Sequence, residues 1–532
     1  MQLTFLIWRN KVLEYLNNQI TGVIMNTCED RVFDRNLLIK CFKKIYKDFE
    51  FNINYKEHIK IDEFLLNSSS LFEKDKGQKE NGRYYTPKDL CLFMLEKMLN
   101  NEYGVNKKIL DPTCGNSQFL IEYMDLILSK NNFSDSDILK IVSNIFGNDI
   151  NEKALLISKL RLFINSLKYL NTETSEEILK KIVLSINKNF TNFDFIDLQN
   201  GTKIKYDYII GNPPYVEDSK YIGNIPNKYG NIYANVLENS TKFLKNSGVF
   251  SFVIPLSYVS TARMKKIRNY LFETIPYQEV YNFSDRPDSL FSSVHQKLTI
   301  LIAKKIKTDS AILKSSKYNY WYKSERENLF KGTEVTEVKK FDDFIPKLGS
   351  TLESDIFYKI LSMETNNCLE NKLNYKENKD FKKLFLNMRL TFWVKCFLDK
   401  SRSKEYKEFS IQENRLSYIY CLLNSSLFFW YWTVVSDCWH ITSKELKLFK
   451  VLEISENQNS IYENLAIELQ KKLEETKKYI GSKQIDYEYK HKECKEIIDK
   501  IDDNLAKVYD LTKNELSYIK NFAIRYRKGE KN

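Results

Sequence analysis

Residues Asn212-Pro213-Pro214-Tyr215 follow the apolar run Tyr206-Asp207-Tyr208-Ile209-Ile210 and Gly211, and their types could hold a planar amine. The two prolines fix φ and supply no N–H, so the turn is stiff and its carbonyls stand as free acceptors. The Asn212 side-chain oxygen and the Pro213 carbonyl together match both hydrogens of one exocyclic NH2 group. Tyr215 adds a ring face on which a planar heterocycle can stack. The lone pair of such an amine is delocalised into its ring, which makes it a poor nucleophile. Acceptors that favour its pyramidal, developing-cation form lower the barrier to attack. No cysteine nucleophile and no strong base are needed.

A second cluster lies upstream. Asp111-Pro112-Thr113-Cys114-Gly115-Asn116-Ser117-Gln118-Phe119-Leu120 follows the apolar Lys108-Ile109-Leu110 and opens a helical stretch. A small-residue turn there lets the backbone approach a ligand, with the helix N-terminus facing it. Asp111 is placed to pair with a ligand cation. If position 117 requires φ > 0, its serine costs about 1 kcal/mol relative to glycine. Gly147-Asn148-Asp149-Ile150 ends another strand with an acid suited to a ribose diol. Asn192-Phe193-Asp194-Phe195-Ile196 sets an acid beside aromatic rings. Taken alone, Asp149 and Asp194 read as loop carboxylates or helix caps; in this ordered set they read as ligand contacts.

The elements that must position these residues are strands alternating with amphipathic helices between about 82 and 306. The apolar strands are Lys108–Leu110, Ile145–Gly147, Tyr208–Ile210, Val249–Ile254 and Leu298–Ile302. This alternation predicts an α/β fold with a doubly wound parallel sheet. Residues 1 to about 80 read as amphipathic helices, and Glu73–Gly82 as a loop or tether. From 307 to about 455 the chain turns to shorter mixed segments rich in aromatics with interleaved Lys and Arg. From about 456 its charge-rich periodicity predicts two antiparallel helices, roughly 458–480 and 487–507, with Gly481 in the turn between them.

At 532 residues the chain is long enough for two or three domains. Its 43% hydrophobic and 29% charged composition is that of a soluble globular protein. The net charge of +12 suits a polyanionic partner and permits one without identifying it. Nine cysteines without a Cys-x-x-Cys pair and only four histidines argue against a disulfide framework and a zinc site. No metal is expected. The N-terminal Met1–Arg9 has no basic lead-in and too short an apolar core for a signal peptide, and Leu427–Val435 is too short to span a bilayer. A cytoplasmic protein without a membrane partner is the expectation.

In order and in content, these motifs resemble the γ class of N6-adenine DNA methyltransferases. The resemblance covers about 82 to 306 and departs from the family pattern at Ser117, where a second glycine is usual. It implies a Rossmann-like S-adenosylmethionine-dependent methyltransferase domain over 81–306, following the helical N-terminal region. A mixed α+β target-recognition domain over 307–455 and a C-terminal helical pair over 456–532 would come after it. S-adenosylmethionine is the implied cofactor. Tyr85 and Thr86, in Gly82-Arg83-Tyr84-Tyr85-Thr86-Pro87, would cover its methionine end. Asp111, Cys114 and Gly115 would form its turn, Asp149 and Ile150 would meet the ribose, and Asp194 and Phe195 the adenine. Asn212, Pro213, Pro214 and Tyr215 would be the catalytic set, acting on an adenine flipped out of double-stranded DNA.

Tyr215 and Phe291 would pack on that base, although Phe291 reads equally as a buried strand-edge aromatic. His295 reads as a surface or structural histidine. The stretch from Cys421 to Trp432, with Asp437-Cys438-Trp439-His440, looks like the recognition-domain core of the methylase part of combined restriction–modification proteins. By chemistry alone its aromatic run is core rather than a base-stacking platform. Lys382, Lys383, Arg389, Lys395, Lys400, Arg402 and Lys404 could reach phosphates, but each singly reads as part of a solvated face.

Several other readings compete. A protein-glutamine methyltransferase faces the same problem with an amide NH2, but the long region after 306 argues for DNA. An N4-cytosine enzyme would usually carry serine at 212, and a C5-cytosine enzyme needs a Pro-Cys nucleophile that none of the nine prolines provides. A modification subunit working with a separate specificity chain usually has phenylalanine at 215. A non-catalytic DNA-binding scaffold is hinted at only by Ser117. No Asp…Glu-x-Lys constellation points to cleavage, so any endonuclease would be a separate partner.

Overall fold

The computed structural model describes residues 86–529 apart from 131, 172–173, 198–203, 292–294, 309, 374–380, 400–404 and 482–486. The expected N-terminal helices, the Glu73–Gly82 tether, Tyr85, Lys400, Arg402 and Lys404 lie outside the described residues. The chain forms two compact units. One takes in the chain to Ile254 with Tyr270–Tyr277 and Leu301–Asp309; the other takes in Pro255–Asn269, Gln278–Ile300 and Ser310–Asn532.

The sheet of the first unit contains β1 (Ile109–Asp111), β2 (Ile145–Asn148), β3 (Phe190–Thr191), β4 (Tyr206–Gly211) and β5 (Leu244–Pro255). These five run in the order β3-β2-β1-β4-β5, and every neighbouring pair is parallel. Going outward from β1, the chain fills one side and then returns to fill the other, the mark of a doubly wound sheet. β1 and β2 are wholly buried, β4 all but Asp207, and β5 from Gly248 onward, as the unbroken apolar runs predict for strands covered on both faces. The two-residue β3 is too short to leave a periodic signal.

Helices α1 (Lys88–Leu99), α2 (Gln118–Leu128), α3 (Asp135–Ser143), α4 (Glu152–Leu167), α5 (Glu176–Asn189) and α6 (Tyr233–Phe243) separate the strands. Their ends follow local chemistry. Pro87 stands at the start of α1, and Asn100 ends it in the left-handed region at φ 45°. Ser134 and Ser175 accept from Asp137 N and Ile178 N at the starts of α3 and α5.

In the second unit, β6 (Tyr277–Phe283), β8 (Ile312–Asn319) and β9 (Thr336–Glu337) are neighbours in that order, while β7 (Leu298–Lys304) has residues in both units. A separate antiparallel sheet is ordered β11-β10-β12, from β10 (Phe381–Asn387), β11 (Cys396–Phe397) and β12 (Tyr406–Gln412). Helices α7 (Leu416–Asn424) and α8 (Ser426–Val435) form its core, and every residue of α8 is buried, Trp430 and Trp432 included. The aromatic run is therefore core and not a stacking platform. Asp502 accepts from Ser426 N at 3.1 Å and Leu427 N at 3.2 Å at the start of α8. The Arg527 guanidinium lies 3.9 Å from the Trp393 ring centroid and 4.3 Å from that of Phe429, which fastens the C-terminal turn.

The C-terminal helical pair differs from expectation. α9 (Glu456–Thr476) stops before Lys477, and a two-stranded ribbon pairs Lys478–Tyr479 with Tyr487–Glu488 ahead of α10 (Lys495–Val508). Tyr479 and Tyr487 face each other across that ribbon at 5.4 Å, a cross-strand pair that favours extended backbone over another helical turn. Gly481 has φ 55°, and residues 482–486 after it lie outside the described residues. The chain adds α11 (Lys513–Asn521) and the short helix Ile524–Lys528.

Candidate active site

The three central strands deliver the functional residues to one edge of the first unit's sheet. β1 ends at Asp111, β2 leads directly into Asp149, and β4 leads through Gly211 into Asn212. Asp111 is in register with Gly147, and Leu110 with Ile209. The carboxyl ends of neighbouring parallel strands, where the strand order reverses, are where open α/β sheets bind ligands. A cavity of about 350 Å³ opens there, within the usual range for small-molecule sites. Thr86, Asp111, Cys114, Gly115, Asp149, Ile150, Asp194, Phe195, Asn212 and Pro214 all line it.

The turn after β1 is built by positive φ. Gly115 has φ 53° and Ser117 φ 64°. A Cβ at Gly115 would meet nothing within 4 Å, so the backbone there is open to a ligand. Serine at 117 takes the left-handed conformation that the family pattern gives to glycine, at about 1–2 kcal/mol. Two residues one turn apart on α4 hold this turn from behind. Ser158 Oγ donates to Gly115 O at 2.5 Å, while Arg161 donates to Asn116 O at 2.6 Å and to Gln118 Oε1 at 3.0 Å.

Asp111 is 1% exposed. Burial pushes its carboxyl well above the usual range, the Thr113 N–H draws it back, and Asp149 raises it again. A cationic ligand group would offset that cost. The carboxylate has room because of Gly211. A Cβ at Gly211 would stand 3.1 Å from Asp111 Oδ1 and 3.2 Å from the Phe252 ring, and one at Gly147 would stand 2.6 Å from Phe190. Asp149 is half-buried. Its Oδ2 accepts from Gly115 N at 2.8 Å and its Oδ1 from Asn151 N at 2.7 Å, so it ties the turn to the start of α4. Asp194 Oδ1 accepts from Ile196 N at 2.9 Å, and its Oδ2 accepts from the Tyr221 hydroxyl.

Asn212 is held on both sides of its amide. Nδ2 donates to Thr86 Oγ1 at 3.3 Å, and Oδ1 accepts from the Tyr215 hydroxyl at 2.6 Å. The same hydroxyl lies 2.9 Å from Val253 O, so its single hydrogen has two acceptors in reach. The Tyr215 ring stands edge-on to Tyr233, with centroids 6.5 Å apart.

Residues 143–291 match the family model described as Eco57I restriction-modification methylase. Over that stretch the chain is restriction–modification methylase-like. The Type II methyltransferase M.BanIII of Aneurinibacillus aneurinilyticus is 25% identical over 277 residues, or 49% of this chain. The chain spans 44% of that relative's length. Among solved structures, a DrdV–DNA complex aligns with 63% of this chain over 38% of its own, at 15% identity and a TM-score of 0.46. The M protein of the type I restriction enzyme EcoKI aligns with 56% of this chain over 64% of its own, at 12% identity and a TM-score of 0.33.

The methylase-like stretch holds Asp149, Asp194 and Asn212, and also a residue that motif reading passed over. Asn148 is 2% exposed. Its Nδ2 donates to Pro112 O and to Phe193 O, both at 3.0 Å, and its Oδ1 accepts from Phe193 N and Thr191 Oγ1, both at 3.2 Å. One side chain thus joins the turn after β1 to the Asp194 loop. The only sequence signal was a polar residue where an apolar strand should end. Arg161, 1% exposed, carried a comparable signal as a charge among the apolar positions of α4.

Other expected residues fall elsewhere. Phe291 is 3% exposed in the second unit, which favours the buried-aromatic reading of that residue. His295 is exposed, with Nδ1 3.3 Å from Asp285 O, as a structural histidine would be. Lys382, Lys383 and Arg389 form ion pairs with Glu413, Glu408 and Glu405. No group of metal-binding side chains occurs among the described residues, and no described helix is long and apolar enough to cross a membrane.

Proposed function

We propose that the chain transfers a methyl group from S-adenosylmethionine to N6 of an adenine flipped out of double-stranded DNA, within a restriction–modification system. The observation that carries this reading is Asn212, fixed by Thr86 and Tyr215 at the end of β4 beside the Asp111 turn. The cofactor, when bound, supplies an electrophilic methyl group. Asp111 would hold its ammonium, which agrees with a carboxylate that burial and Asp149 push toward its neutral form. Asp149 would take the ribose diol and Asp194 the adenine amine, with Cys114, Gly115, Ile150 and Phe195 as walls of the same cavity. Tyr85 and Thr86 would cover the methionine end.

At the reacting amine, Asn212 Oδ1 and the Pro213 carbonyl would accept the two N6 hydrogens and favour the pyramidal form. Pro214 stiffens the turn and Tyr215 stacks on the base. Tyr215 has a further part here. As the amine arrives, its hydroxyl hydrogen turns from Asn212 Oδ1 to Val253 O, which frees the Asn212 oxygen without leaving the hydroxyl unpaired. The net charge of +12 favours the polyanionic substrate. A separate specificity chain or endonuclease would complete the system.

Sequencing that detects modified bases in DNA from cells expressing the chain tests activity and target together. N6-methyladenine at one recurring site is expected, and Asn212→Ala should erase it. Marks that persist in that variant, or marks on cytosine, would overturn the reading.

A further inference from the structure

The loop between β4 and α6 reaches back over the cavity, and Lys220, Tyr221 and Ile222 form part of its wall. Its roots are fastened. Ile232 N donates to Val216 O at 2.9 Å, Gly230 N to Asp218 Oδ2 at 2.6 Å, and Asn227 and Tyr229 both bond Glu238 of α6 at 2.9 Å. Its tip is not. Ile222 is 98% exposed, a large apolar side chain left in water beside the Tyr221 ring that turns inward. Gly223 makes that turn possible, since a Cβ there would stand 2.6 Å from Tyr221 Cε1. Burial, followed by the bond to Asp194, pushes the Tyr221 hydroxyl above the ordinary tyrosine range, so it is a committed donor.

We infer that Tyr221 is a gate on the adenine subsite: its hydroxyl holds the Asp194 oxygen that the cofactor's adenine amine needs, and cofactor entry displaces the loop tip. This rests on the reading of Asp194 given under the proposed function. Asp194 Oδ1 accepts from Ile196 N and Oδ2 from Tyr221, so the adenine amine must share Oδ2 with the hydroxyl or displace it. Binding then exchanges one donor to a carboxylate for another, and the hydroxyl bond opposes the cofactor. Because the roots stay bonded to α6, the tip swings without disturbing Asn212.

Removing the hydroxyl removes the competitor. Isothermal titration of the full chain with S-adenosylhomocysteine should show Tyr221→Phe binding roughly five-fold tighter than wild type, the fold-change of one net hydrogen bond. Gly223→Ala, which pushes the Tyr221 ring aside, should act in the same direction, and it decides the matter should Tyr221→Phe fail to fold. Unchanged or weaker binding in the folded variants, with a wild type that binds, overturns the gate alone. Absence of binding in the wild type and both variants overturns the cofactor reading, and the gate with it.

Discussion

Asn148→Ala should be the most informative structural perturbation outside the reacting residues. Asn148 makes four hydrogen bonds at 3.0–3.2 Å while almost completely buried, so alanine would strand two carbonyls, one N–H and one hydroxyl. At roughly 0.5–1.5 kcal/mol net for each bond, the loss of four comes to about 4 kcal/mol. For a unit of this size, that lowers its thermal transition by roughly 8–16 °C. Asn148→Asp should cost at least as much, because it keeps the shape but turns a second acceptor toward the Pro112 and Phe193 carbonyls. Both variants should also bind S-adenosylhomocysteine more weakly, since the Asp111 turn and the Asp194 loop lose their common tie. Differential scanning calorimetry and isothermal titration measure the two effects. A transition within about 0.5 kcal/mol of wild type, the usual range of a neutral surface change, would refute the tie.

Ser117→Gly relieves left-handed strain of about 1 kcal/mol and should raise the same transition by a few degrees, read by calorimetry. Tyr215→Phe keeps the stacking ring but removes the hydroxyl that turns from Asn212 Oδ1 to Val253 O, so kcat within about ten-fold of wild type is expected in a tritiated-methyl transfer assay, and a loss as complete as that of Asn212→Ala would contradict this. Gly211→Ala crowds the Asp111 carboxylate and Phe252, so it should weaken S-adenosylhomocysteine binding, whereas equal affinity in titration would show that Asp111 can yield. In the second unit, burial pushes the Asp502 carboxyl up to about 6, against the Ser426 and Leu427 N–H groups, Lys495 and Arg527. Its folded-state value exceeds the 3.8 of an unperturbed carboxyl, so the stability it contributes at low pH is lost as pH rises through about 6. Asp502→Asn should remove that slope, and parallel melting curves for variant and wild type across that range would contradict it.

Much of the site was legible because its residues are punctuated by short-range chemistry. Asp111, Asp149 and Asn212 each end an apolar run, and a doubly wound sheet brings the ends of such strands to one edge. The central strands were readable for the same reason: buried on both faces, they leave unbroken apolar runs. The terminal ribbon was not, because two-residue strands have no periodicity and their stability comes from a Tyr479–Tyr487 contact across a turn.

The residue types and order of the Asn212 turn and of the acids that accompany it, and the basic balance of the chain, belong to the sequence alone, since each depends on residue type and local order. Their mutual bonding was decided only in three dimensions. Asn148 bridging two loops, Ser158 and Arg161 clamping the turn from α4, and Gly211 making room for Asp111 all join residues 36 to 100 positions apart. No local pattern encodes such contacts. They exist because strands β2, β1 and β4 lie side by side, and burial then obliges each polar group to find a partner across the sheet edge.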